Sequence, residues 1–170
     1  MRIDRIRPET EADRAAVRAV NEAAFETSAE ADLVEALHAK DMPLISLVAE
    51  VDGKVVGHIL FSPVSLTEHG HLKVMGLAPM AVAPDYQRKG IGSALVRQGL
   101  TRCKDLGCCA VLVVGHPEFY PRFGFGPADR YALRCEYDVP PEVFMVAELE
   151  AGALSGASGL VRYDDAFAGV

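Results

Sequence analysis

Apolar positions along this chain recur in two rhythms, one of helices and one of strands. Ile3 to Arg7 is a short opening strand ended by Pro8. Thr10 to Asp13 is a variant capping box, with Asp where Glu or Gln is usual. Ala16, Val17, Val20, Ala23 and Ala24 then fall on one helical face, which predicts a helix to about Phe25. Thr27 to Glu30 caps a second helix carrying Leu33, Val34 and Leu37, and Met42-Pro43 closes it. Leu44 to Val51 reads as a strand, Asp52-Gly53 as a hairpin turn, and Lys54 to Leu66 as the antiparallel return, bent or ended near Pro63. After the polar turn Thr67 to His71, Leu72 to Ala83 is the central strand. Gly76 and Pro79 within it predict a bulge or bend.

A helix is predicted from Arg88 to about Leu106, burying Ile91, Leu95, Gly99, Cys103 and Leu106, with Gly107 as its C-cap. Cys109 to Val114 is continuously apolar, as in a strand covered on both faces. Strand, helix and strand here make a parallel, right-handed crossover. Pro117 opens a short helix ending before Gly124, limited by Pro121. Phe125 to Tyr131 is extended and Val143 to Leu149 is a further strand. In the Gly-, Ala- and Ser-rich tail from Ala151 to Val170, only Leu160 to Tyr163 reads as strand.

Length and charge narrow the field. The 170 residues suit one domain, 1–170, with a substantial core. The net charge of -7 argues against non-specific nucleic-acid binding. No apolar run approaches the roughly 20 residues of a membrane span, and the first residues lack the apolar core of a signal peptide. Cys103, Cys108, Cys109 and Cys135 form no Cys-x-x-Cys, which points to reduced thiols in the cytoplasm. Clustered ligands at zinc spacing are absent, so no metal is expected.

The chemistry concentrates after the central strand. Met80 to Ala83 stops at Pro84, and the basic turn Gln87-Arg88-Lys89-Gly90-Ile91-Gly92 leads into a helix. Gly90 and Gly92 let a ligand approach the backbone. The first N–H groups of the helix have no partner within it and lie at its positive end, a site for phosphate. Arg88 and Lys89 add two charges there. A Walker loop would need its lysine after the glycines, and a dinucleotide fingerprint would need Gly or Ala where Leu95 stands.

Gln-x-x-Gly-x-Gly after a strand ending in Pro resembles the acetyl-CoA pyrophosphate loop of the GNAT superfamily of N-acetyltransferases. Phe119-Tyr120-Pro121-Arg122-Phe123-Gly124-Phe125 resembles a second motif of that family and fits best its bacterial YhbS-like branch. The resemblance covers most of the chain, and the last ~40 residues match more loosely. It implies an α/β (α+β) fold: a mixed, mostly antiparallel sheet flanked by helices, with splayed central parallel strands. Acetyl-CoA lies in the gap, its pantetheine arm paired with backbone of Ala81, Val82 and Ala83. Its pyrophosphate sits on the amides of Arg88, Lys89, Gly90, Ile91, Gly92 and Ser93, next to Gln87. Tyr120 stands where the family has its general acid. Dimers are common among similar proteins.

An amine attacking a thioester must be neutral, its target carbonyl must be polarised, and the thiolate must be protonated. A backbone N–H freed by the bend near Met80 suits the second task, and Tyr120 the third. Departures from the family pattern stand beside these. The asparagine that often helps hold pantetheine is replaced near Val113. No carboxylate lies between Leu77 and Ala83. The base is then a water held by Glu22, Glu26 or a histidine such as His58, or is absent. His116 is read as a structural hydrogen-bonder before a cofactor contact, and Arg122 equally as a 3′-phosphate ligand or a solvated charge. The cysteines read as inert core groups before acyl carriers. The expected activity is acetyl transfer from acetyl-CoA to a primary amine by direct attack in a ternary complex. The acceptor is a small molecule or a protein amino group. The alternatives are a non-catalytic acyl-CoA-binding sensor and transfer of another acyl group such as succinyl.

Overall fold

The computed structural model describes residues 2–170. Strand β1 (Arg5–Pro8) pairs with β2 (Ile45–Val51), which pairs with β3 (Lys54–Leu66). The β2–β3 hairpin turns on Asp52 and Gly53, both left-handed at φ 51° and 72°, the geometry of a two-residue type I′ turn. β3 pairs antiparallel with β4 (Val74–Val82), and β4 pairs parallel with β5 (Ala110–Val114). Beyond β5 lie β8 (Phe144–Glu148) and the two-residue β6 (Gly126–Pro127). β7 (Leu133–Cys135) runs parallel to β9 (Gly159–Arg162), and β9 pairs with the far end of β3. The mixed, mostly antiparallel sheet agrees with the expected fold class.

Helices cover both faces because the strands alternate their side chains. Leu47, Ala49 and Val51 of β2, with Ile59 and Phe61 of β3, pack against α3 (Ile91–Asp105) through Ile91, Leu95, Val96 and Cys103. Val48 and Leu60 point to the other face. They meet α1 (Arg14–Ala24) through Val17, and α2 (Ala29–His38) through Leu33, Val34 and Leu37. Each large side chain so buried stabilises the fold by about 1.5–3 kcal/mol. No helix among the described residues is long and apolar enough to cross a membrane.

Several boundaries differ from the sequence reading. β3 runs unbroken through Pro63. α1 is preceded by a 3-10 turn over Glu11–Asp13, and the capping box is present: Asp13 accepts from the Thr10 N–H at 2.7 Å. α2 begins after Ser28, so Glu30 sits in its first turn and is not a reciprocal cap. α3 begins at Ile91 rather than Arg88, because Arg88 and Gly90 adopt left-handed conformations at φ 62° and 87°. Leu106, expected on its buried face, lies past its end and is 53 % exposed. Phe125 to Tyr131 is not extended: β6 is followed by a 3-10 turn over Ala128–Tyr131. β7 and the 3-10 turn Asp165–Gly169 were not legible in the sequence pattern.

Candidate active site

β4 and β5 are bonded only from Val74 to Leu77, against Ala110 to Val113. Beyond Leu77, β4 continues to Val82 with β3 alone, while β5 stays with β8. The split coincides with a bulge. Ile59 pairs with Met80 and Phe61 with Leu77, so Ala78 and Pro79 together oppose Leu60. A bulge bends its strand and leaves a residue unpaired. Gly76, the other expected irregularity, pairs regularly with Ser62 and Leu112.

The open edge of β4 has free main-chain groups. The Ala83 N–H donates to the Val56 carbonyl at 2.8 Å. Alternation along the ladder then turns the groups of Met80 and Val82 away from β3, toward the gap. The Gln87 side-chain amide donates to the Val82 carbonyl on that side at 2.9 Å, which ties the following turn to the strand end.

That turn exposes Arg88, Lys89 and Gly90. The first main-chain bond of α3 runs from the Ala94 N–H to the Gly90 carbonyl at 3.1 Å. None of the amides from Arg88 to Ser93 donates a hydrogen bond among the described residues. Six free donors, a helix N-terminus and two cations without an ion pair among those residues are chemistry suited to an anion. The Ile91 side chain is buried in the core, so only its backbone can serve a ligand. Ala81 is likewise buried, whereas Val82 and Ala83 are partly open.

Tyr120 faces the gap from the other side, in a 3-10 turn over Tyr120–Phe123. Its ring is held edge-on by Phe119 at 5.0 Å and Phe125 at 5.6 Å. A Cβ at Gly115 would lie 2.4 Å from that ring, so the glycine leaves room for it. Burial pushes the phenol up to about 12, which keeps it protonated, and its hydroxyl has no protein partner among the described residues. It is a neutral donor beside an open cavity.

The cavity, of about 600 Å³, continues past Tyr120 to a wall that the sequence did not reveal. Glu30 of α2 lines it, as do Phe25, Leu33, Tyr137, Tyr163 and Phe167. Tyr163 lies 5.9 Å from Tyr137 and 5.2 Å from Phe167, centroid to centroid. A Cβ at Gly76 would meet the Tyr163 ring at 3.2 Å, so β4 makes space for a residue 87 positions later. The Glu30 Oε1 and the Tyr163 hydroxyl are both buried without a hydrogen-bond partner. Burial also pushes the Tyr163 phenol up. The only sequence signal for Glu30 was its place in the expected capping box, which pointed elsewhere.

The other base candidates are not at this cavity. Glu22 is exposed and pairs with Arg18 at 3.3 Å, and Glu26 is exposed. His58 is fully buried on the α1 side of the sheet. The Asn21 amide donates to its Nδ1 at 3.2 Å, and its Nε2 lies 2.9 Å from the Ser46 hydroxyl. Ser46 and His38 both bond Glu9. Burial pushes the His58 imidazole down, against the pull of Glu9, so it stays neutral. His116 lines the cavity with its side chain 82 % exposed and its Nδ1 3.8 Å from the Glu118 carboxylate. Arg122 is exposed and stacks 5.4 Å over Phe119. Cys103, Cys108 and Cys109 are buried, and Cys135 lines the cavity; burial pushes all four thiols up, away from thiolate.

Comparison with known proteins agrees with this geometry. The model of the acetyltransferase (GNAT) family matches residues 11–125. The N-acetyltransferase YhbS of Escherichia coli (strain K12) is 37% identical over 163 residues, 95% of this chain and 97% of that one. The structure of YhbS from Escherichia coli in complex with CoA superposes with a TM-score of 0.94 over 99% of this chain and 93% of that one, at 37% identity. A GNAT family acetyltransferase from Brucella melitensis in complex with acetyl-CoA superposes with a TM-score of 0.80 over 96% and 97% of the two chains, at 34% identity.

Proposed function

This chain belongs to the acetyltransferase (GNAT) family, and from that premise we propose that it transfers acetyl from acetyl-CoA to a primary amine by direct attack in a ternary complex. The observation that carries the reading is the gap between β4 and β5. An exposed strand edge and a neutral phenol across the opening line one cavity, which Gln87 borders at the end where the turn Arg88 to Ser93 begins beyond the lining. The CoA and acetyl-CoA complexes of the two similar structures support the choice of ligand.

In this reading the pantetheine arm lies along Ala81 to Ala83 like an added strand, and the diphosphate rests on the amides from Arg88 to Ser93. The Met80 N–H, turned toward the gap, donates to the thioester carbonyl. It stabilises the charge that develops there as the amine attacks. The amine nitrogen bonds to the carbonyl carbon while the carbon–sulfur bond breaks. Tyr120 gives its proton to the departing thiolate; burial keeps that proton available throughout the physiological range. The phenol regains a proton as the amide product releases one.

Calorimetry of acetyl-CoA with the intact protein, followed by thiol release with and without amines, tests the proposal. Binding with amine-dependent release of CoA is the expected result. Absence of binding overturns the reading. Binding without release for any amine replaces it with an acyl-CoA sensor.

A further inference from the structure

We infer that the acceptor is a primary amine carried on an apolar or aromatic body without a carboxylate of its own, and that Glu30 holds its ammonium group. The inference rests on the acetyl-transfer reading above. Among the described residues Glu30 is the one acidic side chain lining the cavity, no Lys or Arg lines it, and His116 is the one histidine. A buried polar atom without a partner costs free energy, so two in one wall, the Glu30 Oε1 and the Tyr163 hydroxyl, point to a ligand that satisfies them. Both are acceptors; the phenol oxygen has lone pairs to offer even while it keeps its proton. An ammonium group supplies three donors and a charge opposite to that of Glu30.

The rest of the wall selects the body. Phe25, Leu33, Tyr137, Tyr163 and Phe167 present apolar and aromatic surface, and the mutually tilted rings of Tyr137, Tyr163 and Phe167 suit a cation that reaches a ring face. An amino acid would bring its carboxylate beside Glu30 with no Lys or Arg to meet it. The same lack of Lys or Arg disfavours a succinyl donor, whose free carboxylate would enter this cavity. In the transfer the ammonium nitrogen sheds two protons. One replaces the proton that Tyr120 gave to the thiolate, and the other leaves to solvent.

The test compares 2-phenylethylamine with phenylalanine, which has the same body plus a carboxylate. The readouts are thiol release and acetyl-CoA calorimetry on the intact protein, Glu30→Gln and Tyr163→Phe. The expected result is turnover of 2-phenylethylamine at a kcat/KM at least about tenfold above phenylalanine. Glu30→Gln should raise the amine KM about tenfold or more, as for a lost charge-assisted hydrogen bond, with a smaller change in kcat. Tyr163→Phe should raise it less. Acetyl-CoA binding should be unchanged in both variants, which also reports that they fold. Equal use of phenylalanine, an unchanged KM in Glu30→Gln, or bound acetyl-CoA with neither amine turned over would each overturn the inference while leaving acetyl-CoA binding intact. Failure of the intact protein to bind acetyl-CoA would instead remove the transfer reading, and this inference with it.

Discussion

Replacing Gly92 by Glu separates the anion site from the fold that carries it. Gly92 is the second residue of α3 and its φ is not left-handed. A Cβ there would meet the Met80 methyl at 3.4 Å, an ordinary contact. Filling a helical glycine gains about 0.5–1 kcal/mol, and an acid in the first turn gains about 0.3–1 kcal/mol from the helix dipole. Folding stability should therefore hold or rise. Binding should do the opposite. Two unit charges about 5 Å apart repel by about 0.8 kcal/mol in water and about 3.3 kcal/mol at an effective dielectric constant near ~20. A diphosphate with about two charges then loses roughly 1.6–6.6 kcal/mol, a weakening of at least about tenfold. Calorimetry with acetyl-CoA on the intact protein, Gly92→Gln and Gly92→Glu measures it. Gly92→Gln carries the bulk without the charge and should lose less. Raising salt from about 0.1 M to about 1 M, which shortens screening from about 10 Å to about 3 Å, should narrow the difference between the two variants. Equal affinity in the wild type and Gly92→Glu, or equal loss in Gln and Glu, would refute the assignment of the diphosphate to these amides.

Tyr120→Phe keeps the ring packed between Phe119 and Phe125 but removes the proposed acid, so kcat should fall about 10²–10⁴-fold with the acetyl-CoA dissociation constant unchanged; a kcat within a few-fold of wild type would return Tyr120 to a packing role. Gly99→Ala should destabilise by about 1–3 kcal/mol in urea titration, because the new methyl would lie 2.2 Å from the ring of fully buried Phe61; a neutral or stabilising change would show that the ring can move aside. Lowering the pH from 7 to 3 should lower the urea midpoint. Burial pushes the His58 imidazole down, so the unfolded chain binds more protons below about 6.5. Burial would raise the Glu9 carboxyl, but the bonds from His38 and Ser46, with the His58 Nε2 3.7 Å away, outweigh it, and Arg7 holds the Asp13 carboxyl low. Both carboxyls therefore contribute their full stabilisation above the ordinary carboxylate range, begin to lose it as the pH falls into that range and go on losing it below. Glu9→Gln should flatten this acid limb; an unaltered slope would refute the role of the buried cluster.

The parts of the site that lie close together in sequence were legible. Gln87 to Ser93 could be read as a turn feeding a helix N-terminus because spacing, glycines and charge act within a few residues. The strand–helix–strand order around it, the hairpin at Asp52-Gly53 and the bulge near Pro79 are local in the same sense. Tyr120 was legible through its neighbours, since Phe119, Phe123, Gly124 and Phe125 form one short motif. The position of α3's first residue was not, because the left-handed Arg88 carries no side-chain signal for that conformation.

The sequence by itself determined the helices and strands from β1 to β5, their order and the basic turn at the start of α3, for these depend on propensity, periodicity and backbone rules that operate over one or two turns of chain. Only the tertiary structure decided which charged groups face the reaction. His58, a base candidate by type, is sealed behind α1, because alternation along β3 turns it to that face and Asn21 closes over it. Glu30, a capping residue by pattern, faces the cavity, because Tyr163 and Phe167 arrive from the far end of the chain to build the wall around it. Such meetings are set by the packing of distant segments on a common sheet, and that packing leaves no local trace at any of the residues it joins.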